Sequence, residues 1–185
     1  MTPTVRRWSD VNDAVARNQV VLVDHDGLAV GVSDKLAAHQ APGHLHLAFS
    51  VFLYDRAGRL LVQRRAASKY HFPLIWANSC CSHPQPGEEL TAAAESRVAE
   101  ELGLKTELRA VGSFTYRATC PTSGLIEHEF DWVLLGELTD VPRPDPAEIA
   151  EFRLLDAAEC ETAAHSEEFA PWFAEALAIA EAARS

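Results

Sequence analysis

Basic residues are scarce in this chain. Lys and Arg number 16 against 27 Asp and Glu, giving a formal net charge of −11 and a pI near 5.1. That balance argues against general binding to nucleic acid or to an anionic membrane surface. The N-terminal stretch MTPTVRRWSDVND has no apolar signal core, and no apolar run is long enough to span a membrane. A cytoplasmic protein with no membrane partner is expected. Only four cysteines occur, at positions 80, 81, 120 and 160, with one adjacent pair and no framework spacing. Reduced thiols are therefore expected, not a disulfide scaffold. Internal repeats and low-complexity tracts are also missing. Nothing reads as an obligate interface, and the oligomeric state stays open.

What is present is enough for one core. With 185 residues and 48% hydrophobic content, the chain reads as a single domain over 1–185, with 1–19 as an N-terminal extension. VVLVDHDGLAVGVSD reads as strand, Asp-Gly turn and strand, and DKLAAHQ as a short helix or turn. LHLAFSVFLYDRAGRLLVQRRA reads as a second hairpin around Asp55 to Arg59. Tyr70 to Gly87 holds three prolines and is long for a structureless connection, which marks it as a functional loop.

GEELTAAAESRVAEELGL is the clearest helix. Leu90, Ala94, Val98 and Leu102 form an apolar ladder, acids crowd the first turn, and Gly103 can end it. Strands are expected over 107–117 and 127–138, a further strand in EIAEFRLLD, and a closing amphipathic helix in FAPWFAEALAIAEAAR. The order indicates an α+β fold, an αβα sandwich of mixed β-sheets with flanking helices.

Five residues from three separated places have the chemistry to hold one divalent metal. His39 and His46 bracket QAPGHL, His83 lies two residues after Cys81, and Glu127 and Glu129 alternate along a strand so that both face one way. Imidazole with carboxylate suits a transition metal better than calcium. Each pair alone is weak, because most histidines and most alternating acids are ordinary surface groups; their joint occurrence raises the signal. His128 should face away from its two neighbours, whereas His44 competes as a ligand. Arg64, Arg65 and Lys69 gather into a basic cluster in an otherwise acidic chain, which suits an anionic small-molecule substrate.

Glu100-Glu101-x-Gly103 resembles the end of a Nudix box, but that register puts Ser82 at the box glycine, Glu88 at its first glutamate, and Ser96-Arg97 where Arg-Glu belong. The box is broken in the middle, and Arg97 can simply pair with Glu101 four residues on. HLHLAFSVFLYD, LVQRRAASKYHFPLIWANSCCSHPQPGE, FTYRATCPTSGLIEHEF and the late PW together closely resemble type 1 isopentenyl diphosphate isomerase, a divergent branch of the Nudix fold. The resemblance runs from about Val20 to the last helix.

It implies isomerisation of isopentenyl diphosphate to dimethylallyl diphosphate through alkene protonation, a tertiary carbocation and loss of a proton from C2. By the same resemblance, His39, His46, His83, Glu127 and Glu129 would hold one divalent ion (Mn2+, Zn2+ or Mg2+). Glu101 would hold a second Mg2+ that arrives with the diphosphate. Cys81 and Glu129 would be catalytic with Tyr116 assisting, and Cys81 stands in CSHPQ where the family usually has CGHP. Lys35, Arg65, Lys69 and Arg97 would bind diphosphate, and Trp172 would cover the hydrocarbon, although a lone Trp is otherwise a core residue. Two other readings compete: a Nudix pyrophosphohydrolase acting on a nucleotide, and a zinc- or redox-responsive protein using Cys80-Cys81 and the histidines.

Overall fold

The computed structural model describes residues 18–184. The N-terminal extension expected over 1–19 thus lies, but for its last two residues, outside the described part. The elements run β1 (Gln19–Val23), β2 (Ala29–Asp34), α1 (Lys35–His39), β3 (His46–Tyr54), β4 (Leu60–Arg65), β5 (Trp76–Ala77), β6 (Cys80–Ser82), α2 (Leu90–Leu102), β7 (Leu108–Thr119), β8 (Ile126–Glu137), β9 (Ile149–Leu155), α3 (Ala157–Ala164) and α4 (Phe173–Ala182).

All nine strands join one branched sheet, and β3 is its hub. It pairs with β1, β6 and β8, while β4 carries β5 and β9. The β3–β8 ladder is parallel, with His46 beside Glu129 and Tyr54 beside Glu137, so the sheet is mixed. All nine residues of β3 are buried, as expected of a central strand covered on both faces.

Two cores follow from strand alternation. Phe49, Val51 and Leu53 point to the face covered by α2, where they meet Leu90, Ala94, Val98 and Leu102. Phe52 and Tyr54 point to the other face, under Phe173, Ala176 and Leu177 of α4. The expected sandwich of helices about a mixed sheet is therefore what forms. Truncating a fully buried member of the α2 ladder such as Leu102 to Ala is expected to cost about 2–5 kcal/mol. Helix α2 is capped by the Glu89 side chain, which accepts from Ala92 N–H, and ends at Gly103 in the left-handed region at φ 66°. A Cβ there would sit 3.2 Å from the Arg143 carbonyl oxygen, a tight contact that adds to the demand of the positive φ for glycine.

Several local expectations need correction. The acids at the start of α2 lie at and before the cap, and none lies in its first turn. The 46–65 segment turns at Asp55–Arg59 but is not a ladder, because β3 and β4 touch only at Tyr54 and Leu60 and then diverge to separate partners. The 70–87 segment contains β5 and β6 and so is not structureless. Helix α3 was not expected, although its capping box is written in the sequence: Asp156 accepts from Glu159 N–H, and Glu159 accepts from Asp156 N–H.

Candidate functional site

One end of the β3–β8 ladder, on the face shared with α4, gathers the site. His46 opens β3 and is level with Glu129 on β8; Tyr116 on β7 is the cross-strand partner of Glu129, and Cys81 on β6 is that of Ser50 on β3. Cys80 takes the opposite face and packs in the α2 core. Strand alternation thus separates the two adjacent thiols, as expected.

His39, His46, His83, Glu127 and Glu129, all buried, bring one ligand atom each to within 4.8 Å of one another. His39 arrives from the last residue of α1, held by the cap that Asp34 provides to Ala37 N–H. The competing histidines are elsewhere: His44 is exposed and offers only its carbonyl, while His128 Nδ1 bonds to the Gly43 carbonyl at 3.0 Å.

The proton inventory fits a cation. A carbonyl can only accept, so His39 Nδ1–H donates to Lys35 O at 2.6 Å and His46 Nδ1–H donates to His44 O at 2.8 Å. Neutral His39 then turns a bare Nε2 towards Glu127 Oε2 at 3.0 Å. His46 does the same towards His83 Nε2 at 3.2 Å and Glu129 Oε1 at 3.6 Å. Lone pairs in such contact need a proton or a metal ion between them. Two carboxylates match the charge of a divalent ion, and carbonyl-anchored imidazoles are the usual outer support of metal-binding histidines.

Without an ion, protons carry part of that load. Burial opposes a charged His39, but the Glu127 carboxylate outweighs it and raises the imidazole above its ordinary value. Burial pushes His83 down to about 3. Burial also resists ionisation of Glu127, yet hydrogen bonds from His39 and His71 hold its carboxyl well below the usual range.

Beside the cluster lies a cavity of about 410 Å³. Its lining includes Cys81, Tyr116 and Trp172. Tyr116 O–H donates to Glu129 Oε2 at 2.7 Å. Cys81 S–H donates to Asn78 Oδ1 at 3.0 Å, and the Trp172 indole N–H donates to the same oxygen at 3.2 Å. The Asn78 amide is itself fixed by donating to the Val51 and Cys80 carbonyls. Burial, with the Asp131 carboxyl next in weight, pushes the Cys81 thiol up to about 12. Trp172 is both core and cavity wall: it is 3% exposed, with Phe72 edge-on at 5.6 Å.

The lining also holds Lys35, Arg65, Lys69 and Arg97, together with the acids Glu88, Glu100, Glu101 and Glu148. Lys69 pairs with Glu148, and Arg97 reaches Glu100, Glu101 and Glu148. The anticipated Arg97–Glu101 pair therefore forms, with both members on the cavity. The basic cluster read from the sequence splits, because Arg64 faces outward to Glu151 on β9 at 2.8 Å. Lys35 is not itself in an ion pair among the described residues, and burial lowers its pKa.

Sequence reasoning missed five participants. Asp131 continues the Glu127–Glu129 alternation by two and accepts from Ser50 O–H at 2.8 Å, so its signal was legible. Asn78, Glu148, Ser50 and His71 belong to no periodic pattern or spaced motif, and each meets at least one partner that only the fold brings close: Trp172, Lys69, Asp131 and Glu127 respectively.

A family model described as the NUDIX domain matches residues 44–174. Among solved structures, a Deinococcus radiodurans protein superposes with a TM-score of 0.67 at 22% identity, covering 88% of this chain and 98% of that one. The MutT protein of Methanosarcina mazei gives 0.62 at 14% identity, covering 76% and 96%. These likenesses show the fold alone. The isopentenyl-diphosphate Delta-isomerase of Nocardia farcinica is 53% identical over 89% of this chain and 95% of its own length. This chain belongs to the isopentenyl-diphosphate Delta-isomerase family. The Streptomyces griseus enzyme of the same name is 46% identical, over 99% of this chain and 92% of its own. The fold is kept although the Nudix box is broken, and α2 gives the cavity Arg97 where a Nudix box has glutamate.

Proposed function

We propose that this chain isomerises isopentenyl diphosphate to dimethylallyl diphosphate, adding one proton to the terminal alkene carbon and removing another from C2. The observation that carries this reading is one cavity lined by two unlike sets of groups. One set is cationic side chains mixed with carboxylates; the other is a thiol, a phenol–carboxylate pair and an indole.

An unactivated alkene is a poor base, so the reaction needs a strong, well-held proton source and a separate acceptor. Glu129, with Tyr116 donating to it, supplies one proton-transfer group, and Cys81 supplies the second. One loses a proton to the terminal carbon while the other takes a proton from C2, so each turnover exchanges their protonation states. The proton gained by one group must return to the other before the next turnover, and Tyr116, bonded to Glu129, can relay it by taking up one proton as it gives one. Between the two steps the positive charge lies on the tertiary carbon, where the Trp172 face stabilises it by roughly 0.5–2 kcal/mol. The shared Asn78 oxygen holds the indole and the thiol in fixed relation.

His39, His46, His83, Glu127 and Glu129 would hold a divalent ion, whose positive charge would polarise the Glu129 carboxyl. Among the cations, Arg65 suits paired phosphate oxygens through its planar fork. Carboxylates among those cations, Glu101 and Glu148 above all, favour a diphosphate that arrives with Mg2+. The test is to incubate the purified protein with isopentenyl diphosphate and Mg2+ and follow the product by NMR. The dimethylallyl isomer is expected; release of phosphate or pyrophosphate would point to a hydrolase instead, and metal binding without turnover to a sensor.

A further inference from the structure

The segment after Lys69 carries two non-glycine residues with left-handed backbone, Phe72 at φ 44° and Leu74 at φ 59°. Such conformations cost energy and persist only where the surroundings hold them. Here Arg65 does the holding. Its Nε donates to the Phe72 carbonyl at 3.1 Å, its Nη2 donates to the His71 carbonyl at 3.2 Å, and its own backbone bonds to Leu74 and Ile75. From the other side, Phe72 N–H donates to Cys120 Sγ at 3.1 Å.

What this strained loop delivers is the His71 ring, which is 6% exposed and lines the cavity. Its Nε2 lies 2.8 Å from Glu127 Oε1, while the other oxygen of that carboxylate faces His39 Nε2. Arg65 Nη2 lies 3.3 Å from the same nitrogen but has the His71 carbonyl as its acceptor at 3.2 Å; the nearer carboxylate can only accept, so we assign the proton to Nε2, directed at Glu127. Nδ1 is then a bare acceptor, buried and without a hydrogen-bond partner. Buried polar atoms are rarely left so. The arrangement therefore satisfies Glu127 at the expense of His71 itself.

We infer that His71 is a positioning residue for the metal site: it occupies Glu127 Oε1, so that only Oε2 is presented to the ion, and through Arg65 it ties that ligand to the cationic set of the lining. This rests on reading the His/Glu cluster as the metal site. His71 touches the ligand and not the reacting atoms. Loss of an outer partner of this kind typically weakens metal binding ~10–100-fold.

The test is the dissociation constant for Mn2+, measured by calorimetry on metal-stripped protein, for wild type, His71→Phe, His71→Ala and His71→Gln. His71→Phe keeps a ring of similar shape but has no N–H, so it is expected to bind Mn2+ ~10–100-fold more weakly. His71→Ala should do the same where it folds. His71→Gln can return an N–H near the position of Nε2 and should recover most of the affinity. At saturating Mn2+, kcat of the Phe variant should return to within a few-fold of wild type, since the loss is in metal binding. Wild-type affinity in His71→Phe, or an equal loss in His71→Gln, would overturn the inference. A wild type that binds no Mn2+ at all would instead overturn the ligand set, and the inference with it.

Discussion

Tyr116 and Glu129 are level with each other across the β7–β8 ladder, and the phenol donates to Glu129 Oε2 at 2.7 Å, while His83 Nε2 lies 2.8 Å from Oε1. One carboxylate thus meets a cavity-lining phenol with one oxygen and the histidine cluster with the other. Glu127, two residues earlier, has both oxygens on histidines.

This difference separates two substitutions. Glu129→Gln is expected to lose ~10²–10⁴-fold in kcat even when metal content is restored, because an amide can coordinate through oxygen but cannot deliver a carboxyl proton. Glu127→Gln should bind metal more weakly and regain most of its rate at saturating metal. Turnover alongside metal analysis for both variants decides the matter. Near-normal turnover of metal-replete Glu129→Gln would move the role to Tyr116.

The two adjacent thiols are expected to part company as well. Cys81→Ala should abolish turnover, since it removes the group bonded to Asn78 at the cavity wall. Cys80→Ala should keep most of the activity and instead lower the melting temperature, because Cys80 is fully buried beneath α2. Steady-state kinetics and thermal unfolding of the pair check this; matched losses of activity would remove Cys81 from the chemistry.

Lys69→Ala is expected to raise KM more than it lowers kcat, as befits a group that holds the diphosphate in ground state and transition state alike. Arg65→Ala should raise KM and also destabilise the fold, since Arg65 braces the Phe72 and His71 carbonyls. An unchanged KM in both variants would take these cations out of the substrate site.

Glu148 gives a pH signature in stability. Burial opposes its ionisation, but the Lys69 hydrogen bond and charge, then Arg97, outweigh that and lower its pKa in the folded state. A depressed carboxyl stabilises the fold above its unfolded value near 4.5, and that contribution is lost as pH falls through the folded value. Glu148→Gln should therefore be less stable than wild type by roughly 1 kcal/mol at pH 7, a figure kept small because the group is only half buried. The gap should close in acid. Denaturant melts in a series from pH 7 downwards provide the comparison, and a gap that does not narrow as the pH falls below 4.5 would refute the assignment.

The legible parts of this molecule were those written in local periodicity. Alternation put Glu127 with Glu129 and parted Cys80 from Cys81, and the four-residue ladder located α2. The basic triplet misled because Arg64 and Arg65 are neighbours on a strand and so face opposite ways, a consequence of the same alternation. Strands β5 and β6 stayed hidden because two or three residues carry no period of their own; they exist through pairing with β4 and β3. His71 and Asn78 stayed hidden because each is defined by partners that only the fold supplies.

The parallel pairing of His46 with Glu129 has a consequence for how the chain matures. Parallel neighbours need a crossover, and here it comprises every element from β4 to β7. A ribosome must have released Glu129 before the ligand set can close, so the ion cannot serve as an early nucleus for the N-terminal half. Contacts of such sequence separation form late and slowly. An ion bound by this cluster would therefore be a lock turned on a finished fold, and stripping it should speed unfolding while leaving the rate of refolding little changed.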